Sequence, residues 1–205
     1  MQKTTFGIIS AKNMKIVFAS NNKHKVEEIQ NQVPASIEIV TLEDIGCIED
    51  IPETGKTLEE NAIIKANYVT TNYGLPCFAD DTGLEITALQ GEPGVYSARY
   101  AGEDKNSDKN MDLVLYKLKN QQDRSAQFKT VIALNIHDQQ HLFTGIVKGH
   151  IRTEKSGTQG FGYDPIFEPE NLGKTFAEMH IEEKNKLSHR GKAVSQLIDF
   201  LINLK

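Results

Sequence analysis

Two adjacent carboxylates, Asp80 and Asp81, followed by Thr82 and Gly83, carry more chemical information than any other stretch of this chain. A short apolar run, Leu75-Pro76-Cys77-Phe78-Ala79, precedes them, and a second, Leu84-Glu85-Ile86-Thr87, follows. Neighbouring carboxylates beside a hydroxyl make a poor packing device. They suit a hard divalent cation and an activated water. The same residues also suit an acidic turn between two strands, because Asp and Gly populate turns. Either account places the pair at a strand end, with Gly83 in the turn.

Three further groups bear on the choice. Ser20-Asn21-Asn22-Lys23-His24-Lys25 lies between an apolar run and a helical pattern. Free backbone N–H groups and the helix dipole favour an anion there, and Lys25 in the first turn could reach a phosphate. The loop lacks the glycines of a Walker A motif, and a polar loop with an Asn cap accounts for it equally. Glu53, Glu59 and Glu60 supply more carboxylates. Glu59 and Glu60 suit a helix first turn, whereas Glu53 falls in an irregular loop beside Thr54-Gly55. Mg²⁺ keeps several waters and often takes only one or two carboxylates plus substrate phosphates.

The stretch Gly157-Thr158-Gln159-Gly160-Phe161-Gly162-Tyr163-Asp164-Pro165 sets two aromatics and an Asp among glycines. Glycines allow close backbone approach, and an aromatic there can stack on a base or pack back onto the core. Lys184 precedes Leu187-Ser188-His189-Arg190-Gly191-Lys192. Ser188 reads as an N-cap, which puts His189 and Arg190 in a first helical turn, where cations oppose the dipole. A bound polar or anionic ligand would explain that placement; a solvated basic turn is the plainer account.

The elements that must position these groups follow from periodicity. Lys15–Ala19 reads as a buried strand, and the helix after Asn22 places Val26, Ile29 and Val33 on one face. Ile37–Val40 is the next strand, so the chain opens as a parallel βαβ unit with its loop at the carboxyl end of the first strand. Thr57-Leu58-Glu59-Glu60 is a capping-box pattern that starts a helix to about Tyr73. Ser107–Leu118 carries Met111, Leu115 and Leu118 at helical spacing. Two long strands, Ser125–His137 and His141–Lys148, flank a hairpin turn at Asp138-Gln139-Gln140. A closing helix from about Ser188 to Leu204 turns Ala193, Leu197, Leu201 and Leu204 inward. The result is an α/β protein with a mixed twisted sheet.

Composition narrows the partners. A chain of 205 residues can bury a full core. A net charge of −5 gives no global attraction for nucleic acid or a membrane, so a polyphosphate must meet local positive charge. No apolar run is long enough to span a bilayer. Cys47 and Cys77 match no metal or redox spacing, and reduced thiols point to the cytoplasm. Met14 precedes the first clear strand, so residues 1–13 are expected to form an extension outside a single domain spanning 14–205.

Together the stretches Phe18–Lys25, Glu53-Thr54-Gly55 leading to Glu60-Asn61-Ala62, Ala79–Leu84, Pro93–Tyr100, Gly160–Pro165 and Ser188–Gly191 resemble the inosine triphosphate pyrophosphatase family, the dITP/XTP pyrophosphatases. The motifs stand in the family's order from Met14 onward. Ser20-Asn21-Asn22 replaces the Thr-Gly-Asn of many members and keeps the hydroxyl and second Asn. The resemblance implies hydrolysis of noncanonical purine nucleoside triphosphates (ITP, dITP, XTP) to the monophosphate and pyrophosphate. It also implies Mg²⁺ dependence, a homodimer, and an elongated two-lobed fold with the active-site cleft between the lobes.

By the same resemblance, Asp81 is the general base and a metal ligand with Glu53, and Lys25 is catalytic. Ser20, Asn21, Asn22, Lys23, His24 and Thr82 contact substrate. Phe161, Gly162, Tyr163, Asp164, Lys184, His189 and Arg190 hold the base, with His189 or Arg190 donating to its 6-keto group. Asp80 has no assigned role beyond support. Competing expectations are a pyrophosphatase for modified pyrimidine or methylated nucleotides on a related fold, and a nucleotide- or RNA-binding module without turnover.

Overall fold

The computed structural model describes residues 14–204. The expectation of an extension over residues 1–13 falls outside them. Six strands form one sheet in the order β2-β1-β3-β4-β5-β6. They are β1 (Met14–Phe18), β2 (Ile37–Val40), β3 (Cys77–Ile86), β4 (Ser125–Ile136), β5 (Gln139–Ile151) and β6 (Phe167–Pro169). Strands β2, β1 and β3 run parallel, and the remaining pairs are antiparallel. The sheet is mixed, as expected, and the opening βαβ unit is present. Its helix, α1 (Lys23–Gln30), is capped by Asn22, whose side chain accepts from the backbone N–H of His24 and Lys25. The helix ends at Gln30, and Val33 lies past it while still packing against the same core.

Alternation along the strands sorts the core into faces. Ile16, Phe18, Phe78 and Ile132 pack with α1 and with α5 (His189–Asn203) through Ile29, Val194 and Leu197. Val17, Cys77, Ala79 and Val131 pack on the other face against Ala62, Ala66 and Val69 of α2 (Leu58–Tyr73). The far halves of the long strands build a third core. There Leu84, Ile86, Phe128 and Val147 meet Met111 and Val114 of α3 (Ser107–Lys117), with Phe167 and Phe176. Strands β3, β4 and β5 therefore run through both lobes, and the residues between the cores, Asp80 to Thr82, lie at the waist.

Four sequence expectations need correction. The segment around Asp80-Asp81 is no strand end: β3 runs unbroken for ten residues, and β4 pairs with all of them, Asp81 against Val131 and Gly83 against Lys129. Gly83 makes no turn. A Cβ there would lie 2.7 Å from the carbonyl oxygen of Gly94, so close approach of the Gly94 segment requires the glycine. The hairpin turn is His137-Asp138, one residue earlier than the expected Asp138–Gln140, with φ of 49° and 60°. Two successive residues at positive φ give the twist that a two-residue hairpin needs. Only half of the capping box forms on α2. Thr57 accepts from the Glu60 N–H at 3.1 Å, but the Glu60 carboxylate takes the Lys56 N–H at 2.5 Å. A short helix that periodicity did not suggest, α4 (Ile181–Leu187), carries Lys184 and leads directly to Ser188. Ser188 caps α5 as expected, accepting from the Gly191 N–H at 3.0 Å.

Candidate active cleft

β1 stops at Phe18, paired with Phe78, and the same edge of β3 is next bridged at Glu85, by Pro93, which leaves the Asp80–Thr82 stretch without a strand neighbour on that side. A cleft of about 620 Å³ opens there between the lobes. This is the carboxyl end of the first strand, the place where α/β sheets bind ligands. Ser20, Asn21, Asn22, Lys25, Glu53, Asp81, Thr82, Phe161, Gly162, Tyr163, Asp164, Lys184, His189 and Arg190 all line it. Lys23 and His24 are exposed and do not line it. His24 instead stacks on Phe161, centroids 5.2 Å apart and planes 13° from parallel.

Because strand side chains alternate, Asp80 and Asp81 do not form a pair. Asp80 points to the α1/α5 face. Its carboxylate accepts from Lys25 Nζ at 2.9 Å, Arg190 Nε at 3.2 Å and Thr82 Oγ1 at 3.2 Å. Burial alone would raise its pKa, but Lys25 and Arg190 hold it well below the usual carboxylate range. Asp80 is thus a permanent buried anion, and it is absent from the cleft lining.

Asp81 points to the α2 face. It accepts from Asn61 Nδ2 at 3.1 Å and Lys65 Nζ at 3.3 Å. Burial pushes its pKa above the ordinary value, only partly offset by Lys65 and Lys25. The two adjacent carboxylates are thus driven apart, Asp80 below and Asp81 above the ordinary value.

Lys65 also donates to Glu53 Oε1 at 2.6 Å, so one ammonium bridges Glu53 and Asp81. Glu53 lies lower than an ordinary glutamate because Lys65, Lys25 and Arg99 outweigh its partial burial. Among the described residues no three His, Cys, Asp or Glu side chains gather into a self-sufficient metal site. Glu53 and Asp81 nevertheless share a common cation, so their oxygens converge. Two hard carboxylates facing one point fit a Mg²⁺ whose other positions come from phosphate and water.

The α4/α5 end of the cleft is a closed charge network. Arg190 and Lys184 are both buried. Arg190 donates to Glu28, Asp80 and Thr82, the last at 3.2 Å. Lys184 Nζ donates to Glu28 Oε1 at 2.6 Å and Asp164 Oδ2 at 2.7 Å. Asp164 also accepts the Phe161 N–H at 2.8 Å, which ties the glycine-rich loop to α4. A Cβ on Gly160, at φ 72°, would fall 2.1 Å from that carboxylate, so only glycine lets the loop close on it. Tyr163 is buried and donates its hydroxyl to the Ser97 carbonyl at 2.8 Å. Its role is to fasten the loop to the Gly94–Arg99 3-10 turn.

Phe161 stays at the cleft, with Lys184 Nζ 4.9 Å and Arg190 Cζ 5.5 Å from its ring centroid. His189 is buried and stacked on Phe128 at 4.4 Å, and its Nδ1 has no hydrogen-bond partner. Burial, then Arg190 and Lys184, drive its pKa well below the usual value and keep the ring neutral. A buried ring nitrogen without a partner costs about 1–3 kcal/mol unless something supplies one.

Sequence reasoning missed Glu28, Asn61, Lys65 and Arg99. Lys65 stands in the apolar stripe of α2 between Ala62 and Ala66, and a lysine in a buried stripe is a legible signal. Glu28 follows Lys25 by three residues and so shares its helix face, but nothing local shows that it answers two cations from residues 184 and 190.

Fold and cleft define an α/β protein with an anion-receptive, carboxylate-bearing cleft beyond its first strand. The model of the Ham1 family matches residues 16–200, and the chain belongs to that family. It is 65% identical over 192 residues to a dITP/XTP pyrophosphatase of Flavobacterium johnsoniae, covering 94% of this chain and 100% of the relative. It is 53% identical to the dITP/XTP pyrophosphatase of Porphyromonas gingivalis, covering 93% and 99%. The Ham1 protein of Staphylococcus aureus superposes with a TM-score of 0.86 at 42% identity, covering 93% of this chain and 100% of that one. A HAM1 protein from Coxiella burnetii gives 0.85 at 41% identity, covering 92% and 98%.

Proposed function

We propose that this protein hydrolyses noncanonical purine nucleoside triphosphates, dITP, XTP and ITP, to the monophosphate and pyrophosphate. The observation that carries the reading is one cleft with two unlike ends. At one end Asp81 and Glu53 converge on the Lys65 ammonium, with Lys25 in the same lining; at the other, Phe161 and His189, whose buried Nδ1 is unpartnered, line the cleft. The curated names of the relatives in Flavobacterium johnsoniae and Porphyromonas gingivalis support it.

Asp81 acts as the general base. Its raised pKa makes its carboxylate a better proton acceptor than an ordinary aspartate. It takes the proton of a water whose oxygen attacks the α-phosphorus. The bond from that phosphorus to the bridging oxygen breaks, and pyrophosphate leaves. Mg²⁺ held by Glu53 and Asp81 would neutralise phosphate charge and activate the water. Lys25 and Lys65 place two ammonium groups beside the reacting phosphate, where fixed charge stabilises the transition state. The Ser20–Asn22 loop and the start of α1 receive phosphate oxygens.

Neutral His189 donates Nδ1–H to the 6-keto oxygen of hypoxanthine or xanthine. Adenine offers a donor at that position and would leave the nitrogen unpaired, a mismatch that can cost 10⁴-fold or more, to order of magnitude. Arg190 donates to Glu28, Asp80 and Thr82 and lines the same cleft, so it braces the pocket wall beside His189. The protein works without nucleic acid or membrane, in the cytoplasm and as a homodimer. No helix among the described residues is long and apolar enough to cross a bilayer.

Steady-state kinetics on ITP, XTP, dITP, GTP and ATP test the reading. The deaminated substrates should release pyrophosphate with Mg²⁺ and fail to do so in EDTA. Equal kcat/KM for ATP and ITP would overturn it.

A further inference from the structure

Charged contacts form two ladders at the cleft. On one face Arg190 meets Asp80 and Asp80 meets Lys25. On the other Asp81 meets Lys65, Lys65 meets Glu53, and Glu53 meets Arg99. Asp80 and Asp81 are adjacent, so Arg190 and Arg99 lie at opposite ends of the chain of contacts that runs through them, with Asp81 and Glu53 between. Arg99 closes the Gly94–Arg99 3-10 turn and lines the same cleft.

Arg99 is also the arginine whose donors are unspent. Among the described residues the other three arginines donate side-chain hydrogen bonds: Arg124 to three carbonyls, Arg190 to Glu28, Asp80 and Thr82, and Arg152 to Glu168. Arg99 has only a loose ion pair with Glu53 at 3.7 Å and a contact over the Tyr96 ring at 5.4 Å. A guanidinium carries five N–H donors in a planar fork that matches phosphate.

We propose that Arg99 is the ligand of the leaving pyrophosphate, grasping the β- and γ-phosphates of the substrate. The inference rests on the pyrophosphohydrolase reading above. Without substrate, Arg99 and Lys65 both serve as counterions to Glu53. When Glu53 turns to a divalent cation, Arg99 loses its partner and its fork passes to phosphate oxygens beyond the α-position. Arg99 thereby exchanges its loose contact with Glu53 for the β- and γ-phosphates.

Isothermal titration of the full chain with inorganic pyrophosphate and, separately, with IMP, both with Mg²⁺, tests this without turnover. Arg99→Gln should weaken pyrophosphate binding by about tenfold or more and leave IMP within about twofold, because IMP lacks the phosphates that Arg99 holds. Arg99→Lys should recover part of the loss, keeping the charge without the fork. Unchanged pyrophosphate affinity in Arg99→Gln overturns the assignment. So does an equal loss for both ligands, which would mark a structural role, or a wild-type protein that does not bind pyrophosphate. Failure of the function reading looks different: pyrophosphate binding that depends on Arg99, with no pyrophosphate released from dITP, XTP or ITP.

Discussion

Replacing each of the adjacent aspartates by asparagine should produce opposite results. Asp80→Asn keeps the shape and removes a charge that faces Lys25 at 2.9 Å and Arg190 at 3.2 Å, in a side chain with no solvent exposure. Breaking a buried ion pair by removing one partner costs about 3–5 kcal/mol. Arg190 retains Glu28 and Lys25 keeps slight exposure, so the lower end, about 3 kcal/mol, is expected. For a domain of this size that is a fall in Tm of roughly 6–12 °C.

Asp81→Asn removes a carboxylate that burial already disfavours, and Lys65 keeps Glu53 at 2.6 Å. Its stability should stay within about 1 kcal/mol of wild type, while turnover falls by about 10²–10⁴-fold with the base gone. The pH dependence separates the two further. Asp80's pKa is depressed in the folded state, so its stabilisation is present above its unfolded value of about 4 and is lost as pH falls below that. Asp80→Asn should therefore flatten the acid limb of stability. Thermal melts from acid to neutral pH, with initial rates on ITP, decide. An Asp80→Asn protein as stable as wild type beside a strongly destabilised Asp81→Asn would refute the division of roles.

Two further outcomes follow from the same network. Glu28→Gln should raise KM for ITP more than it lowers kcat, because Glu28 orients Arg190 and Lys184 at the base end and touches no reacting group; a kcat loss with unchanged KM would contradict it. The profile of kcat/KM against pH should be bell-shaped. Activity should fall with acid as Asp81 protonates. It should fall with alkali below the ordinary lysine value, as Lys25, whose pKa burial lowers, loses its proton; a flat acid limb down to pH about 4 would exclude Asp81 as the base.

Local chemistry was legible in the sequence where a single segment contains both the signal and its consequence. Asn22 and Ser188 could be read as helix caps, and the βαβ opening as parallel, because caps and periodicity depend on neighbours a few residues away. The charged start of α5 was legible as an anomaly, because His189 and Arg190 in a first helical turn contradict the dipole; a bound ligand was the expected answer, and the structure gives Arg190 two carboxylates of the chain itself. What those partners are was not legible. Glu28 lies 162 residues from Arg190, and no pattern in either segment names the other.

The aspartate pair shows where the limit lies. Read as a turn, Asp80-Asp81-Thr82-Gly83 places both carboxylates side by side on one ligand. Read as the middle of a ten-residue strand, the same residues send Asp80 to Lys25 and Arg190 on one face and Asp81 to Lys65 on the other. Turn propensity favoured the first geometry, and pairing with β4 along the whole of β3 imposed the second. Strand alternation then decides the chemistry. The aspartate given two close cations is fixed as an anion. The aspartate beside it, given one shared lysine and an amide, stays more basic than an ordinary aspartate, and it shares that lysine with Glu53, 28 positions upstream.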